Sequence, residues 1–130
     1  MEFIREVASP TYDINSLKRL ANFENLTKLC ASIDSVTPKN NEEAEIFCLW
    51  GTFELRRDEL KCGVRFSLID CPHAFAWTIT YDQAREIIVI HCALDKTELD
   101  PDFLESIHEF ASDWEAGIRQ VIVETGKKFG

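Results

Sequence analysis

The stretch LKCGVRFSLI, residues 60–69, alternates apolar and polar side chains. Because side chains of an extended chain point to opposite faces in turn, a repeat of two places all its apolar positions on one face. Those positions are Leu60, Cys62, Val64, Phe66 and Leu68. The stretch therefore predicts a strand with one buried face, and with it a sheet at the centre of the fold.

Three further stretches alternate in a similar way, and they cover residues 45–56, 74–81 and 86–94. The connections between the four stretches are residues 57–59, 70–73 and 82–85. These connections are too short to hold a crossover helix, so consecutive strands must run antiparallel. The pattern predicts a four-stranded antiparallel meander.

A repeat of three to four residues on either side of the meander predicts two amphipathic helices. The first covers about residues 16–35, is capped by Asp13 or Asn15 and is followed by Pro38. The second begins near Asp100 and Pro101 and continues to about residue 124. Its predicted buried stripe consists of Phe103, Ile107, Phe110, Trp114, Ile118 and Val121. Residues 1–130 are thus expected to form a single two-layer α+β domain of order α-β-β-β-β-α, with the sheet flanked by an N-terminal and a C-terminal helix and residues 1–13 as a lead-in.

The charge of the chain is acidic and unevenly distributed. There are 14 Lys and Arg against 23 Asp and Glu, which gives a formal net charge of -9. Residues 1–65 carry a net charge of -2 and residues 66–130 a net charge of -7. Such a field repels phosphate backbones and anionic lipid surfaces, so neither nucleic acid nor membrane is expected as a partner.

The cysteines and the N-terminus predict a cytoplasmic protein. The chain has five cysteines, an odd number, and most of them lie within apolar patterns, as is typical of reduced and buried thiols. The first six residues lack the basic and long apolar segments of a secretory signal. The longest apolar run, residues 87–90, is too short to span a bilayer.

No motif predicts catalysis. Cys71, His73, His91 and Cys92 could supply metal ligands or a nucleophile pair, but their spacing matches no zinc pattern and no third orienting group is evident. The glycines form no phosphate-binding loop. We therefore expect no catalytic residues, no metal and no cofactor, and a protein that is not an enzyme.

An acidic row is the most informative local feature of the second predicted helix. Asp102, Glu105, Glu109 and Asp113 are three or four residues apart and so share one face of the helix. No Lys or Arg occurs between Lys96 and Arg119. The row is either a solvated face or a docking face for a basic protein partner, whose association it would accelerate.

The last predicted strand is apolar on both faces, with Ile88 and Ile90 on one and Ile87 and Val89 on the other. A sheet with only one covered face should carry polar residues on the other. The strand therefore needs a second cover, as does the Trp50 side of the first predicted strand. This cover could be a helix of the chain, a second subunit or a bound client segment, and the interpretation we favour is a twofold homodimer.

Residues 85–95, followed by Phe103, Phe110 and Trp114, resemble the end of a class I type III secretion chaperone. That family has a similar apolar strand that leads into an amphipathic helix with an aromatic midpoint and a Trp near its end. The resemblance implies a small, acidic, cytosolic homodimer that binds an extended segment of a secreted client and has no enzymatic activity.

Three functional hypotheses follow from the sequence. The first is a non-catalytic cytoplasmic protein-binding domain of chaperone or adaptor type, a homodimer whose surface around Trp50, Ile88 and Ile90 holds a client steered by the acidic row. The second is an acidic inhibitor or immunity-type protein that blocks a basic enzyme acting on nucleic acid. The third is a small-ligand-binding domain or enzyme with a pocket between helix and sheet near Trp77, Tyr81 and His91.

Overall fold

The computed structural model describes residues 1–10, 12–95 and 100–129, the last five by their backbone only. The helices are α1 (Ile14–Leu20), α2 (Leu26–Leu29) and α3 (Pro101–Phe129), with a 3-10 turn at Phe23–Asn25. The strands are β1 (Glu2–Ala8), β2 (Ile33–Pro38), β3 (Glu43–Cys48), β4 (Gly51–Leu60), β5 (Gly63–Leu68), β6 (Ala76–Asp82) and β7 (Ile87–Ala93).

Within the described residues all strands form one seven-stranded antiparallel sheet, in the order β1-β7-β6-β5-β4-β3-β2. Each strand from β2 to β6 pairs with the next one along the chain, and β1 pairs with the other edge of β7. The first and last strands of the sequence are therefore neighbours. The antiparallel sheet confirms one part of the predicted fold class.

Helix α3 lies against one face of the sheet and encloses an aromatic core. Phe110 and Trp114 contact Trp77 on β6, with ring centroids 4.9 and 6.1 Å apart. Every member of the predicted stripe except Phe103 is buried, and Phe103 is partly buried. Apolar spacing along this helix was thus a correct guide to the side that packs.

The predicted four-stranded meander is wrong, since the sheet has seven strands, and the first of them was missed altogether. Residues 1–13 are not a lead-in: Glu2–Ala8 is β1, whose register runs from Glu2 opposite Ala93 to Ala8 opposite Ile87. Only Phe3 and Val7 of this strand are buried. Two buried side chains give too short a pattern to recognise, and the pairing partner lies at the far end of the chain.

The predicted helix over residues 16–35 is also wrong. Helix α1 ends at Leu20, where the Asn22 side chain accepts a hydrogen bond from the Asn25 amide at 3.1 Å and donates one to the Arg19 carbonyl at 2.8 Å. Local bonds of this kind compete with helical ones. The chain then turns into α2 and continues as β2, so the two-helix flanking arrangement does not occur.

The predicted strand over residues 45–56 is a hairpin. Strands β3 and β4 meet at a two-residue turn, Leu49–Trp50, with Cys48 opposite Gly51. Gly51 has a φ of 114°, a conformation that L-residues with side chains rarely adopt. Residues 57–59, predicted as a connection, are the end of β4.

Candidate functional site

Two of the apolar residues predicted to hold a client or a second subunit, Ile88 and Ile90, are covered by the chain itself, whereas Trp50 is only partly buried. Ile88 and Ile90 are completely buried on the face of β7 that α3 covers. The opposite face, with Ile87 and Val89, is partly exposed. Of the apolar surface on which the chaperone-like and homodimer interpretations depended, the side with Ile88 and Ile90 is therefore interior and not available to a partner.

Trp77, Tyr81 and His91 do not form a common pocket. Trp77 and Tyr81 face the core, and the Tyr81 hydroxyl donates to the Ser9 carbonyl at 2.8 Å. His91 pairs with Thr78, so it lies on the other face of the sheet, with its Nε2 3.1 Å from a Glu2 carboxylate oxygen. Alternation puts the three residues on two faces of the sheet, so they do not share one pocket between helix and sheet, although Trp77 and His91 both border a cavity of about 280 Å³.

The acidic row divides into two parts. Asp102, Glu105 and Glu109 are exposed, and within the described part of the chain no ion pair involves them. Asp113 is partly buried and accepts a hydrogen bond of 2.5 Å from the Ser32 hydroxyl, which ties α3 to the segment before β2. The Asp113 carboxylate is thus used in a contact within the protein, whereas the other three carboxylates are accessible to a partner.

A cavity of about 300 Å³ opens beside the start of α3, and we call it the aromatic pocket. It lies where the β3–β4 hairpin, the β5–β6 connection and the first turn of α3 meet. Its walls are formed by Trp50, Phe53, Cys71, Pro72, His73, Phe75 and Phe103. No charged side chain lines it among the residues that the structure describes.

Trp50 is the best-anchored wall of the aromatic pocket. Its indole Nε1 donates to the Ser106 hydroxyl at 2.8 Å, and that hydroxyl donates to the Phe103 carbonyl at 2.6 Å. Its ring lies 5.0 Å from Phe75, 5.0 Å from Phe110 and 5.8 Å from Phe103, measured between centroids. A ring held by a hydrogen bond and three aromatic contacts loses little entropy when a ligand binds.

His73 and Cys71 supply the polar atoms of the pocket wall. The His73 ring lies 5.0 Å from Phe103, and its Nδ1 is buried with no hydrogen-bond partner among the described residues. The turn that presents both side chains is closed by the Ala74 amide, which donates to the Cys71 carbonyl at 3.1 Å. Ala74 has a positive φ of 51°, so this connection is sharply bent.

The thiols in the core are not set up as nucleophiles. Burial raises the pKa of Cys92 to about 12 and also raises the pKa of Cys48, so both stay protonated at neutral pH. Among the described residues, no three Cys, His, Asp or Glu side chains cluster as metal ligands.

The arrangement at the aromatic pocket is suited to holding a molecule through van der Waals contacts with its walls.

A second concavity, of about 470 Å³, is larger but more open and more polar. It lies between the 3-10 turn and the β2–β3 hairpin, beside Phe23 and Arg57. The Arg57 guanidinium already donates to the Ala21 and Lys18 carbonyls at 2.8 Å each. Because the Arg57 guanidinium is engaged with the end of α1, this second concavity is a weaker candidate for a ligand-binding site than the aromatic pocket.

Sequence reasoning found Trp50 but assigned it to a partner surface, and it did not group Phe53, Phe103 and His73. These side chains come from three distant segments, and no periodicity links them. One signal was available: Trp50 and Phe103 are large aromatic residues at the ends of elements, where a side chain often covers an opening between layers.

No helix among the described residues is both long and apolar enough to cross a membrane. No protein-family model matches the chain. A search of curated proteins likewise gives no match.

Solved structures with the same fold do exist. The protein XoxI of Bacillus cereus is 15% identical, with a TM-score of 0.68, over 97% of this chain and 96% of that one. An uncharacterised protein of Bacillus thuringiensis is 12% identical, with a TM-score of 0.64, over 95% and 98%. A START superfamily protein of Mycobacterium smegmatis is 10% identical, with a TM-score of 0.59, over 93% and 97%. At these identities the likeness shows the fold alone: a START-like antiparallel sheet that packs against a long C-terminal helix.

Proposed function

We propose that the protein binds a small, largely apolar organic molecule in the aromatic pocket. The observation that carries this proposal is the pocket itself, a cavity of about 300 Å³ with aromatic walls beside the junction of helix and sheet. A water molecule occupies about 30 Å³ of liquid, so the cavity suits a ligand of roughly ten to fifteen non-hydrogen atoms.

The chemistry of the walls supports binding rather than catalysis. Aromatic rings and Pro72 provide contact area, and the described wall offers one imidazole and one thiol, with no carboxylate among the lining residues. A general acid or base normally needs a partner that orients it or tunes its pKa. The same fold in a START superfamily protein is consistent with this proposal, but the walls are what support it.

A neutral aromatic compound such as 2-naphthol is expected to bind the pocket with a Kd of about 0.1–1 mM, the range set by ligand efficiency for a molecule of this size. The measurement is a titration followed by the indole N–H signal of Trp50 in a two-dimensional NMR spectrum. The signals of the buried Trp77 and Trp114 serve as internal controls. A Trp50→Leu variant should lose most of the affinity, and saturation of the wild-type protein without a change at Trp50 would contradict the proposal.

A second candidate function is docking of a basic protein on the exposed carboxylates of α3. It is supported by the exposure of Asp102, Glu105 and Glu109 and by the absence of ion pairs to them in the described structure. The inhibitor hypothesis from the sequence is one form of this second candidate function. The resemblance to secretion chaperones remains a prediction that no comparison bears on.

Reversal of Glu105 and Glu109 to Lys is expected to leave the free energy of unfolding within about 1 kcal/mol, because it relieves like-charge repulsion on an exposed face. The same change should abolish salt-sensitive association with basic proteins, measured by surface biosensor across a panel. Reversal of Glu24 and Glu86, which are also exposed, is the matched control for net charge. Equal losses in both variants would show a general charge effect and no docking face.

A reducing compartment fits the thiols. All five cysteines are unpaired, and Cys30, Cys48 and Cys92 are buried. Disulfides form readily in oxidising compartments and rarely in the cytosol. We therefore propose the cytoplasm as the location of the protein. Mass spectrometry of the native protein is expected to find no disulfides.

A further inference from the structure

We propose that the ligand of the aromatic pocket is an organic cation, a quaternary ammonium group on a small apolar body. This inference rests on the proposed function, that the pocket binds a small molecule. Two independent properties of the site point to it: the faces of the rings around the cavity and the charges just outside its walls.

The walls attract positive charge through their rings. The face of an aromatic ring carries negative potential, and the indole of Trp binds cations most strongly of the aromatic side chains. Trp50 and Phe103 both border the cavity, with ring centroids 5.8 Å apart and ring planes inclined by 54°. Phe53 completes the wall from β4. Rings inclined to one another in this way offer a cation more than one face.

The charges around the cavity have the same sign as the ring faces. Asp70 adjoins Cys71, and Asp102 adjoins Phe103. Asp100 caps α3, since its carboxylate accepts from the Asp102 amide at 2.8 Å. The backbone amide of Asp95 donates to the His73 carbonyl at 3.2 Å, which places a further acidic residue at the rim.

Among the described residues, two positive groups on neighbouring segments are already engaged. The dipole of α3 contributes about half an elementary charge at its N-terminus, which Asp100 and Asp102 outweigh. The N-terminal ammonium of Met1 donates to the Leu94 carbonyl at 2.9 Å. Lys39 forms an ion pair with Glu54. The charges beside the pocket in the described part of the chain are therefore mainly acidic, which favours a cation.

The lack of hydrogen-bond acceptors selects the kind of cation. A primary ammonium carries three N–H donors, each of which is costly to bury without an acceptor. The described walls offer carbon surface, one thiol and one imidazole, so they cannot satisfy three donors. A quaternary ammonium has no N–H and presents only methyl or methylene groups, which match these walls.

Three probes of the same shape and different charge test the proposal. They are benzyltrimethylammonium, the neutral isostere neopentylbenzene and the anion phenylmethanesulfonate, each titrated against the full chain and followed at the Trp50 indole signal. We expect the cation to bind about tenfold more tightly than the neutral isostere, and the anion to bind more weakly than either. If the neutral isostere binds as tightly as the cation or better, the charge proposal is overturned while the pocket stands. If no probe binds, the proposed function fails with it.

Two variants separate the contribution of the Trp50 ring from that of the acidic residues beside the pocket. Trp50→Leu should reduce the preference for the cation over the neutral isostere to near unity, because it removes the strongest ring face. Asp102→Asn should weaken binding of the cation about two- to threefold, which is the size of effect expected from one exposed charge. The affinity for the neutral isostere should not change. Glu86→Gln, at the β6–β7 turn at the other end of the sheet, is the matched control and should change neither. An Asp102→Asn variant that weakens both probes equally would contradict the electrostatic part.

Discussion

Replacement of Gly117 by alanine is expected to lower the free energy of unfolding by about 2–3 kcal/mol, as overpacking does in a rigid core. Gly117 lies in the interior of α3, where it faces α2. A Cβ at this position would lie 1.9 Å from the Leu29 carbonyl oxygen and 2.5 Å from its carbonyl carbon. Both are backbone atoms, so the clash can be relieved only if a whole helix moves.

The sign of this effect distinguishes packing from helix propensity. In an exposed helix interior, alanine is more favourable than glycine by about 1 kcal/mol. Ala116→Gly, one residue earlier and exposed, is the matched control and should cost about that amount through propensity alone. Urea titration of both variants measures the difference. A Gly117→Ala protein that is as stable as the wild type, or more stable, would show that α2 does not approach α3 as described.

The elements that could be predicted from the sequence are those whose buried pattern is complete within one segment. In β5, β6 and β7 alternate side chains are buried along the strand, and α3 repeats its buried positions over many turns. Burial on one face determines such a pattern, so local spacing suffices to find it.

The two edge strands could not be predicted because they bury too little. Strand β2 has one buried side chain, Ile33, and β1 has two. Ile33 also fits the repeat of the preceding helical segment, which is why the predicted helix extended over it. These strands exist because a neighbouring strand supplies backbone hydrogen bonds, and that information is not local.

The hairpin of β3 and β4 could not be recognised from apolar spacing, because residues 46–50 are apolar at even and odd positions alike. Its buried positions are even-numbered before the turn, at Ile46 and Cys48, and odd-numbered after it, at Leu55. An uninterrupted strand keeps one parity, so the change of phase marks a turn between residues 48 and 55. The change of phase is visible only in the burial of the folded chain, where Trp50 lies on the turn beside the pocket that it lines.

Replacement of Trp114 by alanine is expected to cost about 3–5 kcal/mol of stability, the range for a large aromatic residue in a core. Trp114 has no exposed surface, and its ring lies 6.1 Å from both Phe66 and Trp77 between centroids. It is the residue of α3 that spans the layer between helix and sheet. The cavity left behind would be bordered by rings that are fixed by the sheet, so the site can collapse only in part.

Trp114→Phe separates the contribution of ring volume from that of the indole nitrogen. In the described structure the Trp114 Nε1 is buried without a hydrogen-bond partner, which destabilises the folded state. The phenylalanine variant removes this donor together with part of the ring, so its net cost should be well below that of alanine, about 1 kcal/mol. Denaturant titration followed by circular dichroism compares the two variants. If both variants lose the same free energy, the indole nitrogen must have a partner in solution, and a loss below about 1 kcal/mol for alanine would mean that α3 does not pack through Trp114.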